Sequence, residues 1–276
     1  MSAGRAGARP GPAGAGGAPA PPGGPFIAGV LAAGLGKRMG SDLPKVLHRA
    51  LERPLLHHVL GHLEPLRPER TVVVVGHRAP LVRESLAGRP VRFATQEPQL
   101  GTGHAVQVAW PEIEPPAGEP GAGAGTVLVL AGDMPLVRRE TLRALLARHA
   151  RDGNDVTFLS GVLEDPTGYG RVIRGEEGAF QRIVEEKDAT PEERGVREVN
   201  SGVYCFARAR LKEALGFLRA DNRQSEYYLT DTLSFLRDRG GRIGVEQARD
   251  PRELFGVNTP EQLAMVESVL REWGEG

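Results

Sequence analysis

From residue 26 to residue 163, short apolar runs alternate with segments of helical spacing. Runs of apolar and β-branched residues that end at a glycine or a polar residue predict buried strands, at residues 26–33, 71–75, 91–94, 126–131 and 156–163. Apolar residues at helical spacing predict helices between these strands, at residues 55–63, 103–110 and 140–150. This alternation favours a Rossmann-like α/β fold, in which helices flank a mostly parallel sheet.

The pattern changes between about residue 161 and residue 206, where strand-like runs are separated by loops. This spacing predicts hairpins, and we expect them to form a small antiparallel appendage folded over the edge of the sheet. A helix, a strand and a closing helix are then predicted at residues 225–239, 243–245 and 260–273.

Composition narrows the class of protein. The chain has 276 residues, of which 40% are hydrophobic and 5% aromatic, enough for a core of valine, leucine and alanine. Lys plus Arg and Asp plus Glu both number 35, so the net charge is zero and gives no indication of binding to nucleic acid or to an anionic membrane. The single cysteine excludes an intramolecular disulfide, and no apolar stretch reaches the ~18 residues of a membrane span. We therefore expect a soluble, cytoplasmic protein without a nucleic-acid or membrane partner.

Two stretches are too rich in small residues and proline to bury a core. Residues 1–25 contain eight glycines, six prolines and seven alanines, which predicts a disordered tail before one domain at residues 26–276. Residues 115–125 have a similar composition and predict a surface loop.

A glycine-containing loop follows the first predicted strand, and it begins with Leu31, Ala32, Ala33 and Gly34. Small residues after a buried strand let main-chain amides approach a ligand at the carboxyl end of the sheet. A dinucleotide fingerprint would need a glycine at Met39, and the Gly-Lys-Ser/Thr of a P-loop is also missing. The glycines alone are a weak signal, but Arg38 and Lys45 on the same loop favour binding of a triphosphate.

Several polar residues allow two interpretations on residue type and position alone. Asp133 follows a predicted buried strand, which suits both a magnesium ligand and a turn aspartate. Asn258 precedes the last predicted helix, where an N-terminal cap is the favoured interpretation. Glu185 lies in a charged run typical of a solvated face, and Asn200 stands where a turn residue would begin an apolar run.

Two loops carry further candidates. Gln96 precedes Gly101 and Thr102, and this segment is either a polar surface loop or one whose amide pairs with a pyrimidine edge. Gly170 ends a Gly-Tyr-Gly loop, where a main-chain amide could meet a sugar hydroxyl.

The segment LAAGLGKRMGSDLPKVL at residues 31–47 resembles the signature of the sugar-1-phosphate nucleotidyltransferases, and above all the uridyltransferase domain of N-acetylglucosamine-1-phosphate uridyltransferases. Further segments resemble the same family in the same order, at residues 96–105, 130–136, 165–172, 182–190 with 198–204, and 225–231 with 256–263. The resemblance covers residues 27–270, and so many ordered motifs make it specific.

The resemblance implies a role for each candidate residue. Arg38 and Lys45 would be catalytic and hold the triphosphate, while Asp133 and Asn258 would hold Mg²⁺, the implied cofactor. The residues implied to bind substrate are Leu31, Ala32, Ala33, Gly34, Gln96, Gly101, Thr102, Gly132, Gly170, Glu185, Asn200 and Asn258. Among these the resemblance assigns the uracil to Gln96, Gly101 and Thr102, and the amino sugar to Gly170, Glu185 and Asn200.

The implied reaction transfers UMP from UTP to N-acetylglucosamine 1-phosphate, giving UDP-N-acetylglucosamine, a cell-wall and envelope polysaccharide precursor, and pyrophosphate. Two alternatives stay open: a nucleotidyltransferase for another sugar 1-phosphate, and a catalytically silent sugar-nucleotide-binding regulatory protein. In most bacterial members a left-handed β-helix of hexapeptide repeats follows, carries an acetyltransferase and builds a trimer. Because the sequence has no hexapeptide period, we expect no acetyltransferase activity and a monomer or weak homo-oligomer.

Overall fold

The computed structural model describes residues 23–115 and 124–275. Most of the predicted tail, residues 1–22, and the centre of the predicted surface loop, residues 116–123, lie outside the described residues.

The described chain alternates strands and helices. The strands are β1 (Phe26–Ala32), β2 (Arg49–Ala50), β3 (Arg53–Pro54), β4 (Arg70–Val75), β5 (Val91–Thr95), β6 (Thr126–Ala131), β7 (Val156–Val162), β8 (Gly170–Arg174), β9 (Phe180–Val184), β10 (Glu198–Ala207) and β11 (Ile243–Gln247). The helices are α1 (Leu55–Leu63), α2 (Ala79–Ser85), α3 (Thr102–Ile113), α4 (Arg139–Asp152), α5 (Pro191–Arg194), α6 (Arg208–Leu215), α7 (Asp231–Asp238) and α8 (Pro260–Glu272). No helix among the described residues is long and apolar enough to cross a bilayer.

Within the described residues, nine strands form one sheet whose main path is β11-β7-β10-β6-β1-β4-β5. The pairs β1–β4, β1–β6, β4–β5 and β7–β11 are parallel, whereas β10 is antiparallel to both β6 and β7. The fold is therefore the expected mostly parallel α/β sheet.

Core residues on both faces of the sheet explain why the central strands are continuously apolar. In β4, Val73 packs in the cluster that contains Leu56 of α1, while its neighbour Val74 packs in the cluster that contains Val106 of α3. A third cluster forms around Val257 beneath α8. Helices thus cover both faces and leave the carboxyl edge of the strands open.

The antiparallel region differs in part from its prediction. The hairpin of β8 and β9 lies off the main path, as an appendage, but β10 is inserted between β6 and β7 in the centre of the sheet. Tyr204, Cys205 and Phe206 pack into the core on both faces of the sheet, and the buried main-chain groups of this strand find their partners in β6 and β7. The register of β10 against β7 shifts between Asn200 and Tyr204, and Val199 and Asn200, before the shift, pair with β7 on one edge and with β8 on the other.

The helix predicted at residues 225–239 begins only at Asp231. Ser225 has a left-handed backbone with φ of 52°, and the next residues bond to the start of α3 instead of to each other. The N–H of Tyr227 donates to the carbonyl of Leu100 at 2.8 Å, and the carbonyl of Tyr227 accepts from Gly103 at 2.7 Å. These tertiary bonds replace a first helical turn, so residues 225–230 line the open edge of the sheet.

Candidate active site

Two clefts adjoin at the carboxyl edge of the sheet. The first, here called the loop cleft, measures about 320 Å³ and lies between the loop after β1 and the start of α3. The second, here called the hairpin cleft, measures about 510 Å³ and lies against β8, β9 and β10. Both clefts are lined by Leu31, Thr102, Ala131 and Asp133, so they meet over the ends of β1 and β6.

Because β10 runs opposite to its neighbours, its first residues lie at the same edge as the last residues of β1 and β6. Asn200 therefore reaches the hairpin cleft from the beginning of a strand, while Asp133 reaches it from the turn after one. The open edge of a doubly wound sheet is where such folds bind ligands.

Three residues from distant parts of the chain meet at the junction. The ammonium group of Lys45 forms an ion pair with Asp133 and donates a hydrogen bond to Oδ1 of Asn258 at 2.8 Å. The N–H of Asn258 donates to Gln262 at 2.8 Å, and the carbonyl of Asp133 accepts from Val257 at 3.0 Å. Backbone and side-chain hydrogen bonds thus hold the Asp133 carboxylate and the Asn258 amide on either side of the Lys45 ammonium group.

This donor set fits a magnesium ion. A carboxylate and an amide oxygen are hard oxygen ligands, and the Lys45 ammonium already lies between them as a cation. Within residues 23–115 and 124–275 no group of three or more His, Cys, Asp or Glu converges as metal ligands. Asp133 and Asn258 would therefore leave most of the coordination shell to phosphates and water, as Mg²⁺ usually requires.

The loop after β1 is shaped by two left-handed glycines. Gly36 and Gly40 both have φ of 62° and flank the single turn Lys37–Met39. A Cβ on Gly36 would lie 2.9 Å from Cβ of Lys45, so the loop folds closely onto that lysine. Arg38 lies exposed on the turn and lines the hairpin cleft, and among the described residues no hydrogen bond or ion pair engages its guanidinium. Arg38 and Lys45 hence lie on opposite sides of the junction.

The predicted loop-cleft residues come together around the start of α3. Gln96 is 4% exposed, and its amide donates to the carbonyl of Gly101 at 2.8 Å. Gly101 has φ of 99°, and a Cβ there would lie 2.7 Å from the carbonyl oxygen of Tyr227, so no larger residue fits. The hydroxyl of Thr102 accepts from the N–H of Leu229 at 3.0 Å, which fixes residues 227–229 over the cleft.

The predicted residues at the strand ends divide into two groups. Leu31, Ala33 and Gly34 line the loop cleft. Ala32 is buried in the core instead, and the N–H of Gly132 donates to the carbonyl of Leu31 at 2.8 Å. Neither Ala32 nor Gly132 is among the described residues that line the two clefts.

Gly170 and Asn200 face each other in the hairpin cleft, as paired residues of β8 and β10. A Cβ on Gly170 would lie 2.9 Å from Ile183 and 3.4 Å from a carboxylate oxygen of Glu185, so this approach requires glycine. The side-chain amide of Asn200 donates to the hydroxyl of Tyr204 at 2.6 Å and accepts from the N–H of Gly202 at 3.3 Å. Burial raises the pKa of Tyr204, which keeps that hydroxyl protonated.

Glu185 lines the hairpin cleft, so its carboxylate is not the fully solvated group that its charged run predicts. It accepts a hydrogen bond from the hydroxyl of Thr230 at 3.0 Å. Burial raises the pKa of Glu185, and the nearby carboxylates of Asp231 and Asp188 raise it further.

Some cleft residues were not predicted. Thr230 and Tyr204 both line the hairpin cleft and bond to predicted site residues. A signal existed for Thr230, since it lies in the motif at residues 225–231, but a helix predicted there gave no reason to place it in a site. In the sequence, Tyr204 looks like an ordinary aromatic residue of the core. Only the three-dimensional structure shows that its hydroxyl accepts a hydrogen bond from Asn200.

Comparisons with known proteins show the family of the chain. Residues 28–229 match the sequence model of the MobA-like NTP transferase domain. The "Bifunctional protein GlmU" of Thermoanaerobacter pseudethanolicus is 46% identical over 243 residues, which are 88% of this chain and 51% of the relative. The protein of the same name from Streptomyces griseus is 50% identical over 246 residues, 88% of this chain and 50% of the relative. The chain thus spans about half the length of the curated relatives it matches.

A solved structure gives the same fold. A chain from Bacillus anthracis, named as a glucose-1-phosphate thymidylyltransferase, superposes with a TM-score of 0.70 over 89% of this chain and 95% of its own length. Its identity is 15%, so this likeness concerns the fold alone. The resemblance drawn from the sequence motifs is confirmed by the relatives that share the name GlmU. Since the domain model covers residues 28–229, well over half of the sequence, the chain belongs to the family of MobA-like NTP transferase domains.

Proposed function

We propose that this chain transfers UMP from UTP to N-acetylglucosamine 1-phosphate, releasing pyrophosphate and forming UDP-N-acetylglucosamine for cell-wall and envelope polysaccharides. The observation that carries the proposal is the cluster of Lys45, Asp133 and Asn258 at the junction of two clefts. The reaction joins the phosphate of one substrate to the α-phosphate of the other. Each substrate therefore needs its own cleft, and the two negatively charged phosphates must be neutralised where the clefts meet. The high identity to proteins named GlmU supports the choice of substrates.

The loop cleft would take the nucleotide. Gln96, whose amide donates to the carbonyl of Gly101, would hold the main chain at Gly101 against the edge of a uracil, and Thr102 holds the wall opposite. Main-chain groups at Ala33 and Gly34 would pass close to the ribose and phosphates. Ala32 and Gly132 would act through their backbone alone, since they support Leu31 from within the sheet.

The hairpin cleft would take the sugar. The Glu185 carboxylate and the Asn200 amide suit the hydroxyls and acetamido group of an amino sugar, and the Gly170 N–H is a further donor. The close contact of Gly170 with Glu185 would place the amide and the carboxylate on the same part of the ring.

The two phosphates would meet at the junction. A phosphate oxygen of the sugar 1-phosphate forms a bond to the α-phosphorus of UTP, while the bond from that phosphorus to the bridging oxygen breaks and pyrophosphate leaves with the electron pair. Lys45, from the loop cleft, and Arg38, from the hairpin cleft, would hold the triphosphate and neutralise the departing pyrophosphate. Magnesium held by Asp133 and Asn258 would supply further charge neutralisation between the phosphates.

Two alternatives remain distinct from this proposal. A different sugar 1-phosphate, such as glucose 1-phosphate or N-acetylmuramic acid 1-phosphate, would use the same junction with other hairpin-cleft contacts. A silent regulatory protein would have no need for Lys45 and Asp133, and their ion pair in this structure argues against it. Because UTP is a cytoplasmic nucleotide, we further propose that the protein acts in the cytoplasm, as a monomer or weak homo-oligomer.

The proposal is tested by a substrate panel that crosses UTP, dTTP and ATP with the three sugar 1-phosphates, with and without Mg²⁺. Pyrophosphate release should be fastest with UTP and N-acetylglucosamine 1-phosphate, and chelation of the metal should abolish it. Faster turnover of glucose 1-phosphate or of dTTP would overturn the assignment of the sugar or of the base. Failure of every pair to release pyrophosphate would favour the regulatory alternative.

A further inference from the structure

A buried arginine lies beside the hairpin cleft but does not line it. Arg171, the second residue of β8, is 1% exposed and heads the largest fully buried side chains of the described residues. Its guanidinium donates to a carboxylate oxygen of Glu186 at 2.6 Å, to the carbonyl of Tyr169, and to the carbonyl of Arg194 at 3.4 Å. A guanidinium is retained in so dry a position only when its donors are paired, so this side chain fixes several segments at once.

Glu186 is the centre of these contacts. It is 29% exposed, and besides Arg171 it accepts a hydrogen bond from the N–H of Gly168 at 3.2 Å. A second ion pair joins it to Arg194 of α5 at 3.7 Å. One carboxylate therefore connects the loop before β8, the end of β9 and α5.

Arg171 and Glu186 are each adjacent in sequence to a residue of the proposed sugar site. Arg171 follows Gly170, and Glu186 follows Glu185, while Gly170 and Glu185 line the hairpin cleft. Strands β8 and β9 also pair directly at this point, with Arg171 opposite Val184. A Cβ added at Gly170 would lie 3.4 Å from a carboxylate oxygen of Glu185, so the ion pair joins the two chain segments that bring Gly170 and Glu185 together.

We propose that Arg171 and Glu186 are positioning residues that determine affinity for the sugar 1-phosphate; the assignment of the sugar to this cleft rests on the function proposed above. Loss of the pair releases the loop at residues 165–169 from β9, so the Gly170 amide and the Glu185 carboxylate no longer converge on one ligand. Binding of UTP is spared, because the loop cleft is lined mainly by the end of β1 and the loop after it, by the segment from Gln96 to the start of α3 and by the end of β6, and these walls make no bond to either residue among the described contacts.

A matched control lies on the same strand. Arg174, three residues after Arg171, donates two hydrogen bonds of 2.6 Å to the carboxylate of Glu198 on β10. This ion pair also bridges two strands, yet both of its members lie outside the two clefts and line a separate groove. Arg174→Met removes an interstrand ion pair with the same 2.6 Å distance and should leave Gly170 and Glu185 undisturbed.

The test compares Arg171→Met, Arg171→Lys, Glu186→Gln and Arg174→Met by steady-state kinetics with each substrate varied in turn. Displacement of a binding group by about 1 Å costs up to about 100-fold, so Arg171→Met should raise the KM for the sugar 1-phosphate at least about 10-fold. Its KM for UTP should stay within about twofold of wild type, and Arg171→Lys and Glu186→Gln should fall between wild type and Arg171→Met. Arg174→Met should leave both KM values unchanged. An equal rise in both KM values, or the same effect from Arg174→Met, would overturn the proposal.

Three provisions keep the test decisive: a second variant, a second substrate and a binding measurement. If Arg171→Met does not fold, Glu186→Gln alone decides, since its side chain is partly exposed and its amide oxygen still accepts from Arg171. If the wild type prefers another sugar 1-phosphate, the proposed substrate is wrong, but the split between the two KM values with that substrate still decides the role of the pair. Calorimetric binding of UDP-N-acetylglucosamine and of UTP makes the same comparison without turnover: weaker binding of the sugar nucleotide alone supports the pair, and equal weakening of both refutes it.

Discussion

The two clefts are built in different ways. The loop cleft is walled by small residues and main-chain groups at the ends of central strands, such as Ala33, Gly34 and Gly101. The hairpin cleft is walled by polar side chains, above all Glu185 and Asn200, on strands at the start of β10 and in the appendage. The shape of the loop cleft should thus select the nucleotide, and the polar side chains of the hairpin cleft should select the sugar. Mutations in the two clefts should therefore have separable effects, and the following predictions test that separation.

The largest effect is expected at the junction, where one substitution should impair the reaction of both substrates together. Asp133→Asn keeps the shape and removes the charge, so the fold should survive while kcat falls by roughly 10²-fold or more if the metal supplies several kcal/mol in the transition state. Pyrophosphate release across a Mg²⁺ series measures this, with the melting temperature as the check on folding. Asp238→Asn, on an exposed position of α7, is the control. Near-normal turnover at ordinary Mg²⁺ would make Asp133 a turn aspartate without a catalytic role.

A smaller effect, greater for UTP than for the sugar 1-phosphate, is expected from Lys45→Ala. A charge-assisted hydrogen bond contributes about 1.5–3 kcal/mol, so the KM for UTP should rise about 10-fold or more while the KM for the sugar 1-phosphate changes less. Lys37→Ala provides the matched control, because Lys37 is exposed on the same loop and lines neither cleft among the described residues. Equal defects in the two variants would show that the loop contributes only general positive charge.

Glu185→Gln should affect the opposite cleft, with a dependence on pH. Burial raises the pKa of Glu185 above its usual 4.5, so its carboxylate takes up a proton at a higher pH than an exposed glutamate does. As the pH falls through this raised pKa, the wild type should lose the ionised acceptor and its KM for the sugar 1-phosphate should rise. The variant should have a KM roughly 10-fold higher near neutral pH.

The measured quantity is the ratio of the wild-type and Glu185→Gln KM values at each pH, since the titration of the substrate phosphates cancels in that ratio. The ratio should approach one at acid pH and diverge at alkaline pH. A ratio that stays constant across pH would mean that the charge of Glu185 plays no part in sugar binding.

The smallest effect is expected from the tail. Deletion of residues 1–24 should leave both KM values, kcat and the melting temperature almost unchanged, because a segment of this composition makes few ordered contacts. Kinetics and thermal denaturation of the shortened chain measure this. A clear fall in any of these quantities would show that the tail docks on the domain.

The sequence predicts the loop-cleft half of the molecule well, for local reasons. The predicted strand at residues 126–131 and the predicted helix at residues 55–63 have the bounds that the structure shows. Both are short apolar segments bounded by polar or turn residues, so their period and ends are encoded within a few positions. The loop after β1 follows the same rule, since its glycines mark the turn.

The hairpin-cleft half is harder to predict because its structure depends on distant contacts. Glu185 and Glu186 form an ordinary charged run in the sequence, and only the contacts with Thr230 and Arg171 show that they are held in place. Residues 225–230 have helical composition, but their main chain pairs with the start of α3. No local pattern distinguishes a central antiparallel strand such as β10 from an edge strand, because the difference lies in which neighbours it meets.

The direction of β10 has a consequence for how substrate range could change. Strand β7 runs to the open edge, the appendage follows, and β10 returns, so Val156 and Phe206 stand opposite each other in the sheet. The carbonyl of Asp155 accepts from the N–H of Ala207 at 2.9 Å, which places the two ends of this segment side by side. Residues 156–206 thus form a cassette with neighbouring termini that contains Gly170, Glu185 and Asn200. Recombination of this segment, in evolution or in the laboratory, would exchange these hairpin-cleft residues and leave the loop after β1 and the turn that bears Asp133 in place.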